Sequence, residues 1–248
     1  MKKIFLLAAI LLFKISTLSA QPIVSGISTN EINIDTKFNG TKILLFGAKG
    51  DAGNIVITVR GPKKNFLVTK KEKLLGVWYN GKRVKFKDSF SYYSIFSTFD
   101  DNKTTNSLLS QLELGTGNIK FETFKNKEEK EVNENEFTLQ LIEKLEKENL
   151  YSVGVNKIDF LDETLFKVIL DFPKNISRGV YIVEIYLINE DNLTSFQSIP
   201  IYVNQIGLSA QISDYAYQQP LLYGLLSVII ALLIGWLANY FFARFIGK

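Results

Sequence analysis

An antiparallel Ig-like β-sandwich with a helical insertion, followed by one C-terminal transmembrane helix, is the architecture the sequence predicts. Three observations carry it. Short β-branched or apolar runs bounded by Gly, Pro and Asn recur from Gln21 to about Phe99, and again from Leu150 to Val203. A charged stretch with helical periodicity, about residues 104–150, separates the two groups. An apolar run from Leu221 to Ala243 holds 23 residues without a charge. At about 1.5 Å rise each, they span roughly 34 Å, enough for the hydrocarbon core of a bilayer.

Residues 1–20 read as a secretory signal peptide. Lys2 and Lys3 form a positive n-region, Ile4 to Phe13 an apolar stretch, and Ser16 to Ala20 a small polar c-region. The expected cut follows Ala20. Lys14 ends the apolar stretch early and Leu18 stands where a smaller residue is preferred, so an uncleaved anchor is the alternative.

The β-rich domain is expected over residues 21–204. Ile43 to Phe46 and Ile55 to Val59 read as strands, with Lys49 to Gly53 as turn material between them. Pro62 lacks a backbone donor and halts the second ladder. Leu74 to Tyr79 and Arg83 to Phe86 flank Asn80-Gly81, the dipeptide suited to the positive φ angles of a tight turn, and predict a hairpin there. In the insertion, Thr104 to Leu114 predicts a helix ended by Gly115. Phe137, Leu141 and Leu145 recur at i, i+4 and i+8, so Glu136 to Asn149 predicts a second helix, a lid on the core. Lys125 to Glu136 is a mixed charge run that reads as a solvated loop. Leu165 to Phe172, Val180 to Asn189 and Phe196 to Val203 follow as antiparallel strands; Tyr181, Val183, Ile185 and Leu187 place one face on the core.

Residues 205–220 read as a juxtamembrane linker, 221–243 as the membrane helix and 244–248 as a cytoplasmic tail. The tail's charges, Arg244 and Lys248, fit the positive-inside rule, so the expected topology is N-out and C-in. Tyr215, Tyr217 and Tyr223 flank the outer end, and Trp236 and Tyr240 lie toward the inner one, as aromatic anchors do.

The overall charge of +4 misleads. Of 29 basic residues, five lie in the leader, membrane-helix end and tail, leaving 24 against 25 acids over residues 21–220. A nucleic-acid partner therefore loses its electrostatic support. Charge is uneven within the domain: residues 37–87 hold 13 Lys/Arg against Asp51 and Glu72, whereas residues 88–214 hold 11 against 21 acids. Attraction between two parts of one fold accounts for this more simply than docking of an anionic partner.

The chain has neither Cys nor His. A domain of about 200 residues buries enough surface to fold without disulfides. Thiolate nucleophiles, imidazole bases, the usual zinc sites and histidine haem ligation are all excluded. No catalytic residue, cofactor or metal is expected, and the chain reads as a non-enzyme.

Several segments resemble a known family. They are Val59-Arg60-Gly61-Pro62, Gly76-Val77-Trp78, Phe90 to Ser97, Leu165 to Pro173 with Gly179-Val180-Tyr181, and the run from Ile212-Ser213-Asp214 through Pro220 and Tyr223-Gly224 to Gly235-Trp236-Leu237. Together they are similar to the alphaproteobacterial putative transmembrane protein family, over nearly all of the chain that follows the leader. The C-terminal portion is the most specific. A His can precede the juxtamembrane Pro in that pattern, where this chain has Tyr217, and the middle segment diverges. The resemblance implies a signal peptide, an exported domain and a terminal anchor in the bacterial inner membrane. It implies no particular activity.

Candidate interaction residues are few. Arg60, before Gly61-Pro62 and beside Lys63 and Lys64, offers a guanidinium to an anion, although a solvated turn is the simpler reading. Trp78 offers an aromatic platform for a carbohydrate or peptide, although a large aromatic in a strand is more often core. Asp159, Asp162 and Glu163 offer oxygens to a hard cation without the spacing of a calcium loop. Ser227, Ala231, Gly235 and Asn239 recur every four residues and line one face of the membrane helix, permitting close helix approach.

Two function classes follow. The first is a non-catalytic accessory or assembly subunit that docks on another membrane protein, a permease or other transporter, or self-associates through its anchor. The second is a periplasmic module that binds a solute or envelope polymer through the basic first segment and Trp78. A His-free hydrolase using paired carboxylates comes third, and no spacing asks for it.

Overall fold

A computed structural model describes residues 22–50, 52–99, 106–124, 133–189 and 192–245. The signal-peptide reading at residues 1–20 lies outside the described residues, as do most of the Lys125 to Glu136 charge run and the tail beyond Phe245. Among the described residues thirteen strands form three sheets: β1 (Ile23–Ile27), β2 (Glu31–Ile34), β3 (Thr41–Lys49), β4 (Asn54–Arg60), β5 (Lys63–Leu74), β6 (Val77–Phe90), β7 (Tyr93–Ser97), β8 (Glu122–Thr123), β9 (Asn156–Lys157), β10 (Asp159–Phe160), β11 (Leu165–Phe172), β12 (Gly179–Asn189) and β13 (Asn192–Gln205). Four helices accompany them: α1 (Asn106–Gln111), α2 (Glu134–Lys147), α3 (Leu208–Gln218) and α4 (Pro220–Phe245).

Alternation decides which side chains meet. In β11, Phe166, Val168, Leu170 and Phe172 are buried, and in β3 Ile43 and Leu45 match them from the same face. In β12, Tyr181, Val183, Ile185 and Leu187 are fully buried, as are Ile55, Ile57 and Val59 of β4. These two sets come from a four-stranded sheet, β1-β3-β11-β10, and a six-stranded sheet, β2-β13-β12-β4-β7-β9. They share one apolar core, so the sheets face each other as a sandwich. Tyr92, Phe172 and Tyr181 stack across the two sheets with ring centroids 5.3 to 5.7 Å apart. Gly47 is where β3 admits this packing, because a Cβ there would lie 2.5 Å from the Phe166 ring and 2.8 Å from the Val24 carbonyl.

The expected strands are present, with their partners now assigned. β3 and β4 lie in different sheets, as do β11 and β12, whereas β12 and β13 pair antiparallel. Pro200 is tolerated in β13 because β2 covers that strand's outer edge only at Tyr202 to Gln205.

The hairpin turn is a correction. β5 and β6 form one long ribbon whose tip is Leu75-Gly76, with φ of 49° and 88°. Asn80-Gly81 lies inside β6, opposite a register shift between Thr69 and Lys71, where two residues of β6 face one of β5. The ribbon belongs to a third sheet, β5-β6-β8, rather than to the sandwich.

In the insertion, α1 ends at Gln111, before the expected Leu114, and leads to a 3-10 turn at Thr116–Asn118. α2 starts two residues earlier than expected, so Glu134 to Glu136 belong to the helix and not to the loop. Its stripe of Phe137, Leu141 and Leu145 is buried. The helix ends with Asn149 at φ 56°, where the Leu150 and Asn149 N–H groups donate to the Leu145 and Glu146 carbonyls. α3 fills most of the juxtamembrane stretch, and Gln219, at φ −134° and ψ 65° before Pro220, separates α3 from α4.

Candidate functional site

α4 is apolar on every side: within Pro220–Arg244 an 18-residue window reaches a mean hydropathy of 2.5, and none of that window is buried. In water such a surface would associate; in hydrocarbon it is matched to its solvent, and its backbone bonds are satisfied internally. Ser227, Ala231, Gly235 and Asn239 share one face. The Ser227 hydroxyl donates to the Tyr223 carbonyl at 2.8 Å, so it needs no other acceptor. Nothing lies within 4 Å of a Cβ built on Gly235, which leaves that face open to another helix. Arg244 donates to the Tyr240 hydroxyl at 2.8 Å, at the end of the helix expected to face the cytoplasm.

The profile of the alphaproteobacterial family described as "Putative transmembrane protein (Alph_Pro_TM)" matches residues 22–244. The chain belongs to this family. No curated protein matches it. The match runs from β1 to the end of α4, so in this family member the β-rich domain and the membrane helix form one unit of recognition, a single-pass membrane protein by its described helices.

Arg60 lies inside rather than on a solvated turn. Its guanidinium bonds Glu184 at 2.8 Å, the two side chains being 15% and 17% exposed. It also donates to the Leu112 carbonyl at 2.7 Å and the Glu113 carbonyl at 3.3 Å. Thr58 donates to the same Glu184 carboxylate at 3.2 Å. The Tyr93 hydroxyl donates to the Glu113 carbonyl and accepts the Gly115 N–H at 2.8 Å. Burial pushes the phenols of Tyr93 and Tyr186 up to about 12. This network fastens the segment after α1 onto the outer face of the six-stranded sheet. It consumes the guanidinium, so Arg60 offers an incoming anion little beyond Nε, which is buried and has no hydrogen-bond partner.

Trp78 is 65% exposed, on the ribbon beside the tip. The simpler sequence reading, that it is core, is therefore corrected. Sequence alternation misled because the distal ribbon has no buried face to alternate against. The ribbon also separates the two candidate anion- and polymer-binding groups, since Arg60 precedes its base and Trp78 is next to its tip.

A cleft of about 710 Å³ opens between the β7–β9 edge of one sheet and the β10–β11 edge of the other. Tyr92, Ser94, Asn156, Ile169 and Tyr151 line it together with Lys157, Lys167, Asp159 and Asp171, whose charges balance. The hydroxyls of Tyr92 and Tyr151 are already donated to the Asp171 and Phe90 carbonyls, each at 2.8 Å. Sequence reasoning did not find this cleft, because it depends on which strands become sheet edges. Among the described residues no cluster of three acidic side chains is placed to hold a metal ion. Asp162 instead accepts the Glu163 N–H.

Proposed function

We propose that this protein is a non-catalytic accessory or assembly subunit. α4 anchors it in the bacterial inner membrane, with the β-rich domain in the periplasm and the C-terminus in the cytoplasm. It docks on another integral membrane protein, such as a transporter, through the Ser227, Ala231, Gly235 and Asn239 face of α4. The observation that carries this reading is α4 itself: a long, unburied apolar helix with one face of small side chains, joined to a domain whose least exposed ion pair among the described residues, Arg60 with Glu184, is spent on holding the fold. Arg244 in the last helical turn supports the orientation.

Chemical crosslinking in native membranes, followed by purification in mild detergent, tests it. A specific membrane-protein neighbour should be recovered, and replacing Ala231 and Gly235 with Leu should lose it. Recovery of this chain alone, from both the parent and the Leu variant, argues against docking. A tag placed after Lys248 that is reached from the periplasm argues against the topology.

The cleft between the sheet edges favours a second reading, a binding module for a neutral, hydroxyl-bearing solute or envelope polymer. Its balanced charges and tyrosine and asparagine lining suit such a ligand. Thermal-shift screening with glycans and polar solutes separates the two, since a stoichiometric ligand raises the melting temperature.

A further inference from the structure

The β5–β6 ribbon and the membrane anchor leave the sandwich from the same end. β4 ends at Arg60, opposite Ile182 of β12 and Tyr93 of β7, and the ribbon occupies the chain between Arg60 and Tyr93. β12 begins at Gly179 opposite Val203, where β13 runs out toward α3 and α4. The end is tied together: Pro62 packs on Gly179, Lys64 Nζ reaches Ser177 Oγ at 3.3 Å, and Arg178 pairs with Asp214 of α3 at 3.0 Å. The 12 residues of β5, at about 3.3 Å rise, reach roughly 40 Å from this point.

One face of the ribbon's base half is covered, while Leu67 on the other is 60% exposed. Val84 and Phe86 are buried, Phe121 meets Phe86 edge to face, and Lys70 pairs with Glu136 of α2. From Lys73 to Asn80 every residue is exposed, and four of them are Leu74, Leu75, Val77 and Trp78. Leu75 is 98% exposed and holds φ at 49°, a conformation that Asn or Gly adopts more easily. An apolar side chain at the outermost point of a turn that disfavours it contributes nothing to the fold, which points to a contact outside the chain. Around it the ribbon is basic, with nine Lys/Arg against Glu72 and Asp88 between Lys63 and Phe90. Glu72 is engaged by the Tyr79 hydroxyl at 2.5 Å, and Lys73 lies over the Trp78 ring at 5.7 Å.

We propose that the ribbon tip is a second membrane contact, in which Leu74, Leu75, Val77 and Trp78 enter the headgroup boundary of an anionic phospholipid bilayer while Lys71, Lys73 and Arg83 face the lipid phosphates. The chemistry fits that occupant. Trp settles at the headgroup level, and lysine stems lie along apolar surface while their ammonium groups stay at the phosphates. Juxtamembrane cations are drawn to anionic leaflets within a Debye length. The anchor already holds the ribbon near a bilayer, so contact is an intramolecular event of high effective concentration and a small apolar tip suffices. The contact adds to the docking proposed above and rests on different residues.

The test uses the full chain reconstituted in vesicles, with Trp236→Phe so that Trp78 is the remaining tryptophan. Vesicles of phosphatidylcholine and phosphatidylglycerol, with brominated acyl chains, are compared with phosphatidylcholine alone. In the anionic vesicles Trp78 emission should move to shorter wavelength, be quenched by the brominated lipid, and be severalfold less accessible to aqueous acrylamide. Leu75→Asp, or Lys71→Gln with Lys73→Gln and Arg83→Gln, should reverse all three signals. Both variants alter exposed side chains, and an unchanged circular dichroism spectrum shows that the fold is intact. Raising the salt to about 1 M, where the Debye length is about 3 Å, should weaken the anionic preference. Equal acrylamide access in detergent, neutral and anionic vesicles overturns the proposal. So does shielding that arises only when another membrane protein is reconstituted alongside.

Discussion

Arg60 and Glu184 illustrate how a largely buried charge pair, 15% and 17% exposed, is made tolerable. Desolvating both groups is expensive, and their attraction offsets it only because further hydrogen bonds complete the geometry. Here two carbonyls and the Thr58 hydroxyl supply them. Removing one partner should therefore cost more than removing both. Glu184→Gln should lower unfolding stability by about 3 kcal/mol in urea titrations, because Arg60 keeps its charge and loses its anion. Arg60→Met combined with Glu184→Leu should lose less. Two tyrosines beside this pair, Tyr93 and Tyr186, and one in the sandwich core, Tyr181, set an alkaline limit. Tyr93, Tyr181 and Tyr186 are held neutral by burial, with phenol pKa values raised from 10 to about 12. Above pH 10 the unfolded chain ionises while the folded one retains its protons, so stability is fully present below pH 10 and falls as the pH rises toward 12. Melting temperature followed against pH, with tyrosinate absorbance, should show the loss of structure and ionisation together. Tyr93→Phe should flatten that decline by about 1.4 kcal/mol per pH unit between pH 10 and 12.

Among the elements, the ribbon has the sharpest conflict between local preference and observed conformation. Leu75→Asn should stabilise the turn by about 1 kcal/mol, since Asn tolerates positive φ and no contact within the chain is lost. Amide exchange of the Leu74 to Trp78 segment should slow accordingly. The same turn shows why parts of the fold were readable and others were not. β11 was legible to the residue because both of its flanks are polar or turn-forming and its alternation is complete. β12, whose Tyr181, Val183, Ile185 and Leu187 alternate into the core, and the Phe137, Leu141, Leu145 stripe of α2 were legible from their periods. The ribbon has no core face beyond Val84, so no period marks its turn. Asn80-Gly81, the stronger turn dipeptide, therefore drew the hairpin five residues past its true tip. Of the candidate residues, the α4 face needed only helical spacing to be found. Arg60 and Trp78 exchanged environments with their simpler readings, because burial there depends on the cover after α1 and on the ribbon's projection. Neither is a local property of the sequence.

At the scale of the whole molecule, the junction at Gln219 and Pro220 decides how the domain stands over the bilayer. Proline disfavours the helical conformation at the residue before it, and Gln219 sits at φ −134° and ψ 65°. Hydrogen bonds persist on either side, from the Gln219 N–H to the Tyr215 carbonyl and from the Tyr223 N–H to the Gln219 carbonyl. The break is therefore one residue wide. Tyr215 and Tyr223 meet across it with ring centroids 6.5 Å apart. In a straight helix, residues with this spacing rise about 12 Å, so their contact reflects a bent axis. The sandwich follows α3, because Arg178 holds Asp214. Pro220→Ala should let Gln219 become helical and join α3 and α4 into one rod. The chain has no native cysteine, so spin labels can be placed cleanly at Asn189→Cys, on the far end of the sandwich, and at Leu221→Cys, on the anchor. The interlabel distance should lengthen in the Pro220→Ala protein and the Tyr215 to Tyr223 contact should be lost; an unchanged distance would show that Pro220 does not set the bend. With the axis straightened, the ribbon rises with the sandwich. Trp78 should then lose its protection from acrylamide in anionic vesicles even though the tip sequence is untouched.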